Sequence, residues 1–256
     1  MSIGAEASGG MADSAAGVEG GFGFNPLYLQ VKQRMLARML SGEWAPGMML
    51  PAEHQIAAEI GVSQGTVRKA LDALHAENLI VRRQGRGTFV AQHTSERALF
   101  HFFKLVDPAG ERALPETVFC DLARAQADGD IAAKLGLSRR HAVWRVRRHR
   151  ALGGRVVVCE TIHLSARDFP GLESRTPLPN NVYSLYEQAY GRTVARAMED
   201  LSAVAAAPEE AGPLGLEPGA PVLAIDRIAY GLDDRPIEHR RSVCRTDVYR
   251  YRADLR

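Results

Sequence analysis

Apolar residues recur at helical spacing three times in the first third of the chain. Leu27, Val31, Met35 (or Leu36) and Met39 mark one helix, entered at Pro26 and stopped at Gly42. Ala45-Pro46-Gly47 is a turn. Pro51 opens a second helix, with Ile56 and Ile60 as core candidates and Gly61 at its stop. Ser63 is a good N-cap for a third helix. There Val67, Ala70, Leu71 and Leu74 form one apolar face, and Gln64, Arg68, Lys69 and Asp72 fall on the other. Two short β-prone runs follow, Leu79–Arg83 and Thr88–Val90, around the glycine-rich tip Gln84-Gly85-Arg86-Gly87, which predicts a hairpin. Helix, helix, turn, helix, hairpin is the order of a winged helix-turn-helix, mostly α with a β wing.

After residue 91 the periodicity stops. Gln92-His93-Thr94-Ser95-Glu96-Arg97 is polar and reads as a linker. Beyond it the chain resembles itself. Ala133-Lys134-Leu135-Gly136-Leu137 returns 79 residues later as Gly212-Pro213-Leu214-Gly215-Leu216. At the same offset Val143 matches Val222 and Arg148 matches Arg227, and Glu160 matches Glu238 at 78. Each copy reads as short helix, strand, turn, strand, with turns at 152–155 and 232–235. A helix from Ser184 to about Tyr190 lies between them. Two related hairpin units in one antiparallel sheet, with helices against it, make an α+β domain. The expected organisation is a disordered tail over 1–24, a winged helix-turn-helix over 25–92, a linker over 93–99 and an α+β domain over 100–256.

Composition adds limits. Net charge is only +2, but residues 25–92 carry eight Lys or Arg against five Asp or Glu, three of the arginines within 82–86. Such a cluster can attract a polyanion or simply form a solvated face. Cys120, Cys159 and Cys244 are odd in number and widely spaced, which argues against a disulfide framework or a zinc site and suits a reducing cytoplasm. No cofactor or metal set is visible. No apolar run approaches the roughly 20 residues of a membrane span, and the Gly-, Ala- and Ser-rich N-terminus lacks a basic region, so it is not read as a signal peptide.

The third helix brings chemistry suited to DNA. A helix fits the major groove and reads base edges from its first turn. Ser63, Gln64 and Thr66 occupy that turn and Arg68 the next. Gln pairs with adenine and Arg with guanine. Lys69, Arg82 and Arg83 suit phosphates, and the glycines of the tip let Arg86 approach a minor groove. Residues 26–91 resemble the N-terminal domain of the GntR family of bacterial regulators. The resemblance is carried by Pro26-Leu27-Tyr28, Leu50-Pro51-Ala52-Glu53, the run Gly61–Leu71 and the run Gly85–Val90. It implies DNA contacts at His54, Ser63, Gln64, Thr66, Arg68, Lys69, Arg82, Gly85, Arg86, Gly87 and Thr88. Relatives usually carry Arg at the His54 position and often at Gln64, so a shifted operator or weaker binding is expected.

Residues 100–252 resemble the UTRA domain of the HutC-type branch, whose fold is that of chorismate lyase. The matching residues are Leu135-Gly136-Leu137, Arg148 and Arg150, Glu160, Phe169-Pro170, Ser184-Leu185-Tyr186, Gly191, Leu214-Gly215-Leu216, Pro236-Ile237-Glu238, and Arg245 with Asp247. These domains take sugar phosphates, organic acids or amino acids. The resemblance implies effector contacts at Arg148, Arg150, Glu160, Ser184, Tyr186 and Glu238. Two arginines two apart on a strand share a face and suit a carboxylate or phosphate. The same charges also fit a structural ion-pair network, and Arg145 and Arg147 crowd the choice. Cys244 stands where relatives often carry an aromatic residue. The implied function is a ligand-responsive repressor of a double-stranded DNA operator, a cytoplasmic homodimer and not an enzyme. The alternative is a ligand-binding or lyase-like protein with a vestigial DNA-binding head.

Overall fold

The computed structural model describes residues 25–94 and 103–253. The expected tail over 1–24 and most of the expected linker lie outside them.

Three helices form the first unit: α1 (Leu27–Leu40), α2 (Glu53–Ile60) and α3 (Gln64–Ala76). Val31, Met35, Ile56, Val67, Leu71 and Leu74 are each buried to 2% exposure or less and close one core. Trp44, absent from the sequence expectation, completes it, with the Arg38 guanidinium 5.2 Å above its ring. The second helix begins at Glu53 rather than Pro51. Ala52 is the N-cap, and its backbone N–H donates to the Gln55 side chain (2.9 Å), so the chain stays extended past the proline. Gly61, at φ +77°, ends α2 in a left-handed conformation that a Cβ would strain. Ser63 caps α3, its hydroxyl accepting from the Thr66 N–H at 3.2 Å. Strands β1 (Ile80–Arg83) and β2 (Gly87–Val90) pair antiparallel, and Met49 bridges Phe89 to widen the wing.

The second unit repeats one motif twice. Strand β4 (Glu116–Gln126), helix α4 (Gly129–Lys134) and strands β5 (Ala142–Leu152) and β6 (Arg155–Ser165) form the first copy. Helix α5 (Val182–Tyr190) then leads into the second copy: strand β7 (Val194–Ala205), helix α6 (Pro208–Leu214) and strands β8 (Pro221–Gly231) and β9 (Pro236–Cys244). The six strands form one antiparallel sheet in the order β4-β5-β6-β9-β8-β7, so the copies meet at β6 and β9 across a pseudo-two-fold axis. Each copy thus has an outer strand, β4 or β7, beyond the hairpin expected from sequence.

Alternation on the strands sorts the two faces. Trp144, Val146, Ile162 and Leu164 pack under α5, while α4 and α6 cover the opposite face through Val143 and Val243. A ribbon of β3 (Leu105–Val106) and β10 (Arg250–Tyr251) caps one end of the α5 face. The expectation of a linker from residue 93 fails at that residue. His93 is 2% exposed, with its ring against Tyr183 and hydrogen bonds to α5 and β7 that a solvated linker would not make.

Candidate nucleic-acid interface and ligand cavity

The exposed side of α3 and the wing carry the residues implied for DNA. Gln64, Arg68 and Lys69 face solvent beside exposed His54, while Ser63 and Thr66 share a 2.9 Å contact within the cap. Glu53 gathers the first two: Arg68 donates to it through Nε (3.0 Å) and Nη2 (2.8 Å), and Gln64 through Nε2 (3.3 Å). These bonds hold the Glu53 carboxyl below its ordinary range, the bond from Arg68 contributing most. Arg82 donates to Asp72 at 2.6 Å. Glu53 is half-buried and the other groups are exposed, so each pair is weak and exchangeable for a phosphate or base edge. At the tip, Gly85 (φ +69°) and Gly87 (φ +107°) permit the turn that presents Arg86, and Thr88 is half-buried beside them.

A cavity of about 110 Å³ lies between the α5 face of the sheet and the β3–β10 ribbon. Cross-strand register puts Arg148, Glu160, Ser242 and Ile225 in one row, and Arg150, Val158, Cys244 and Leu223 in the row nearer the ribbon. Arg148 and Arg150 therefore share one face, as their spacing implied, and meet Glu160 in the wall. Arg148 Nε donates to Glu160 at 2.7 Å, Arg150 Nη1 to the same oxygen at 3.3 Å, and Arg240 Nη1 to the other at 3.3 Å. Burial opposes the Glu160 charge, but the pull of Arg148, Arg240 and Arg150 outweighs it and holds the carboxyl far below the usual carboxylate range.

Ser184, Tyr186 and Glu238 do not line the cavity, which corrects the expectation for them. Glu238 sits two residues before Arg240 on the same face, so the α5 aromatics roof it over. It is fully buried and accepts from Tyr183 (3.1 Å), Tyr186 (2.8 Å) and Arg240 Nε (2.9 Å). Ser184 accepts from Gln188 along the helix. Arg145 and Arg147 point to the opposite face by alternation, and Arg147 pairs there with Asp121. Arg227, Arg240 and Tyr183 line the wall without having been singled out from sequence. Arg227 had a signal, because it is the repeat equivalent of Arg148.

Residues 27–90 match the gntR family of bacterial regulatory proteins, and residues 111–250 match the UTRA domain. The chain belongs to the GntR family. It is a DNA-binding transcription regulator with a winged helix-turn-helix and a UTRA domain of the HutC type. The HTH-type transcriptional repressor NagR of Bacillus subtilis is 31% identical over 227 residues, 88% of this chain and 93% of that protein. Among solved structures, the ligand-binding domain of a GntR-family regulator from Bordetella bronchiseptica is 35% identical with a TM-score of 0.56, covering 61% of this chain and 99% of that one. PhnF from Mycobacterium smegmatis is 28% identical with a TM-score of 0.53 over 88% of this chain and 99% of its own. No helix among the described residues is long and apolar enough to cross a membrane.

Proposed function

We propose that this GntR-family regulator is a repressor whose operator affinity changes when a small anion occupies the cavity at Arg148, Arg150 and Glu160. His93 carries this reading. It lies three residues past the wing strand, and its backbone N–H donates to Glu187 on α5 (3.2 Å). Its carbonyl accepts from Asn181 (3.3 Å), and its ring is 5.6 Å from that of Tyr183. Asn181 and Tyr183 both line the cavity. The exit from the DNA-binding unit is thus one side chain away from the ligand space, so an occupant that moves the start of α5 biases the placement of the head. Apolar contact supports the same coupling, since Ala195 and Leu232 pack on the core of the helical unit.

The assembly that fits this role is a cytoplasmic homodimer reading a two-fold operator, with no catalytic step. In it Gln64 and Arg68 read bases and Lys69, Arg82 and Arg86 neutralise phosphates. NagR is named a repressor, which supports the same sense of control here. A gel shift on DNA upstream of the chain's own gene, with and without organic acids, sugar phosphates and amino acids, tests the proposal. Retardation that one of these compounds relieves in the wild type, but not in Arg148→Ala, is expected. Relief that survives Arg148→Ala unchanged places the effector elsewhere.

A further inference from the structure

The charge count around the cavity and its apolar wall specify the occupant further, taking the cavity as the effector site. Four buried guanidiniums, of Arg148, Arg150, Arg227 and Arg240, meet three carboxylates, of Glu160, Glu199 and Glu238. Arg240 engages both oxygens of Glu238, and Arg227 is paired with Glu199. Arg148 and Arg150 share Glu160, whose second oxygen is already drawn to Arg240. Among these buried groups one positive charge is left over, and it falls at Arg150; the half-buried Lys104, which also lines the cavity, stands outside this count. The Arg150 Nε is buried with no hydrogen-bond partner among the described residues, in a residue only 7% exposed. Burial pushes this guanidinium down to about 10, against the pull of Glu160. A buried, unmatched charge is costly, and a single negative charge placed beside it removes the mismatch.

Toward the ribbon one corner of the wall is apolar, while Lys104, Asn180, Asn181 and Ser242 line the cavity elsewhere. Val158 and Cys244 face each other across β6 and β9, Ile225 lies alongside on β8, and Phe103 and Leu105 close over them from the ribbon. Burial pushes the Cys244 thiol well up, so it is a neutral, small apolar surface at physiological pH. A ring bearing several hydroxyls would lose its water there and find few partners. The volume is comparable to the roughly 150 Å³ at which an apolar protein cavity accepts benzene. We infer that the occupant is a small monocarboxylate with an aromatic or branched aliphatic body, its carboxylate at Arg150 and Arg148 and its body on Val158, Cys244 and Ile225.

Calorimetry on the full chain with benzoate, phenylacetate and isovalerate tests this, with benzamide, glucose 6-phosphate and inorganic phosphate as comparisons. At least one carboxylate is expected to bind with a Kd below about 1 mM, and benzamide at least tenfold more weakly than benzoate. Cys244→Phe, which fills the apolar corner, is expected to weaken the carboxylate at least tenfold. Phe103→Ala, on the half-buried roof, gives a second reading should Cys244→Phe fold poorly, and is also expected to weaken it. Carboxylate binding that neither substitution alters overturns the placement. Binding of glucose 6-phosphate or phosphate that Arg150→Gln abolishes, with no carboxylate bound, overturns the ligand class and leaves the cavity as effector site. Failure of every compound overturns the class together with the anion reading of the cavity.

Discussion

Replacing Glu160 by Gln tests the buried carboxylate that three arginines share. The carboxylate is 6% exposed and receives hydrogen bonds from Arg148, Arg150 and Arg240. Glutamine keeps the shape and one acceptor but removes the charge, which raises the buried surplus from one guanidinium to two. Removing one partner of a buried ion pair costs about 3–5 kcal/mol. In a chain of this size each kcal/mol lowers Tm by roughly 2–4 °C, so a fall of about 6–20 °C is expected. Thermal unfolding followed by circular dichroism at pH 7.5 measures the fall, and urea unfolding measures the loss in free energy. The pH dependence gives an independent check. The folded Glu160 carboxyl lies far below its unfolded value, so its contribution is full above about pH 4.5 and is lost progressively as pH falls below that. Wild type and Glu160→Gln are therefore expected to converge on acidification. A loss under about 1 kcal/mol at pH 7.5, with parallel pH curves, would refute the reasoning, because it would mean water already solvates these arginines.

Two other outcomes follow from groups away from the cavity wall. His163 lies on the α4 side of the sheet, 3.4 Å from His239, which contacts Asp226 and Lys134; Asp128 and Arg145 also act on it. Burial, with the His239 ring, pushes it down to about 4, so the unfolded chain takes up the proton first, and stability falls as pH drops from about 6.5 through 4. That slope is expected to flatten in His163→Gln over the same range, and an identical slope would contradict it. His93→Ala removes the ring that reaches the Val194 carbonyl (2.9 Å) and Tyr183. It is expected to leave ligand affinity in the cavity within about twofold while reducing the ligand's effect on DNA affinity; an undiminished effect in an anisotropy titration would show that coupling runs elsewhere.

Local patterns were legible where one residue type dictates one geometry. Ser63 caps, Gly61 takes a positive φ, and Gly85 with Gly87 makes the wing turn. The 79-residue repeat located both hairpins and both helices of the sheet, because each copy must bury the same faces. The outer strands β4 and β7 were missed: their burial alternates between half-buried and exposed positions, and they lack apolar runs. Glu238 shows the limit of transferring a role along a repeat. Its position on the sheet face corresponds to that of Glu160, but α5 covers only that half, so Tyr183 and Tyr186 occupy its oxygens while Glu160 stays at the cavity wall. The placement of His93 depends on α5 and β7, about 90 to 100 residues away in sequence, and nothing local announces it.

The most direct test is the salt dependence of DNA binding. Fluorescence anisotropy would compare the wild-type chain with the Arg68→Ala/Arg86→Ala double variant on DNA from upstream of its own gene, between 50 and 200 mM KCl. Each phosphate contact adds about 0.9 to the slope of log K against log salt, and a lost base contact costs roughly 1–3 kcal/mol. Wild type is expected to bind tightly and salt-dependently, and the double variant at least tenfold more weakly with a shallower slope. Equal affinities and equal slopes would show that α3 and the wing are not the DNA-binding surface.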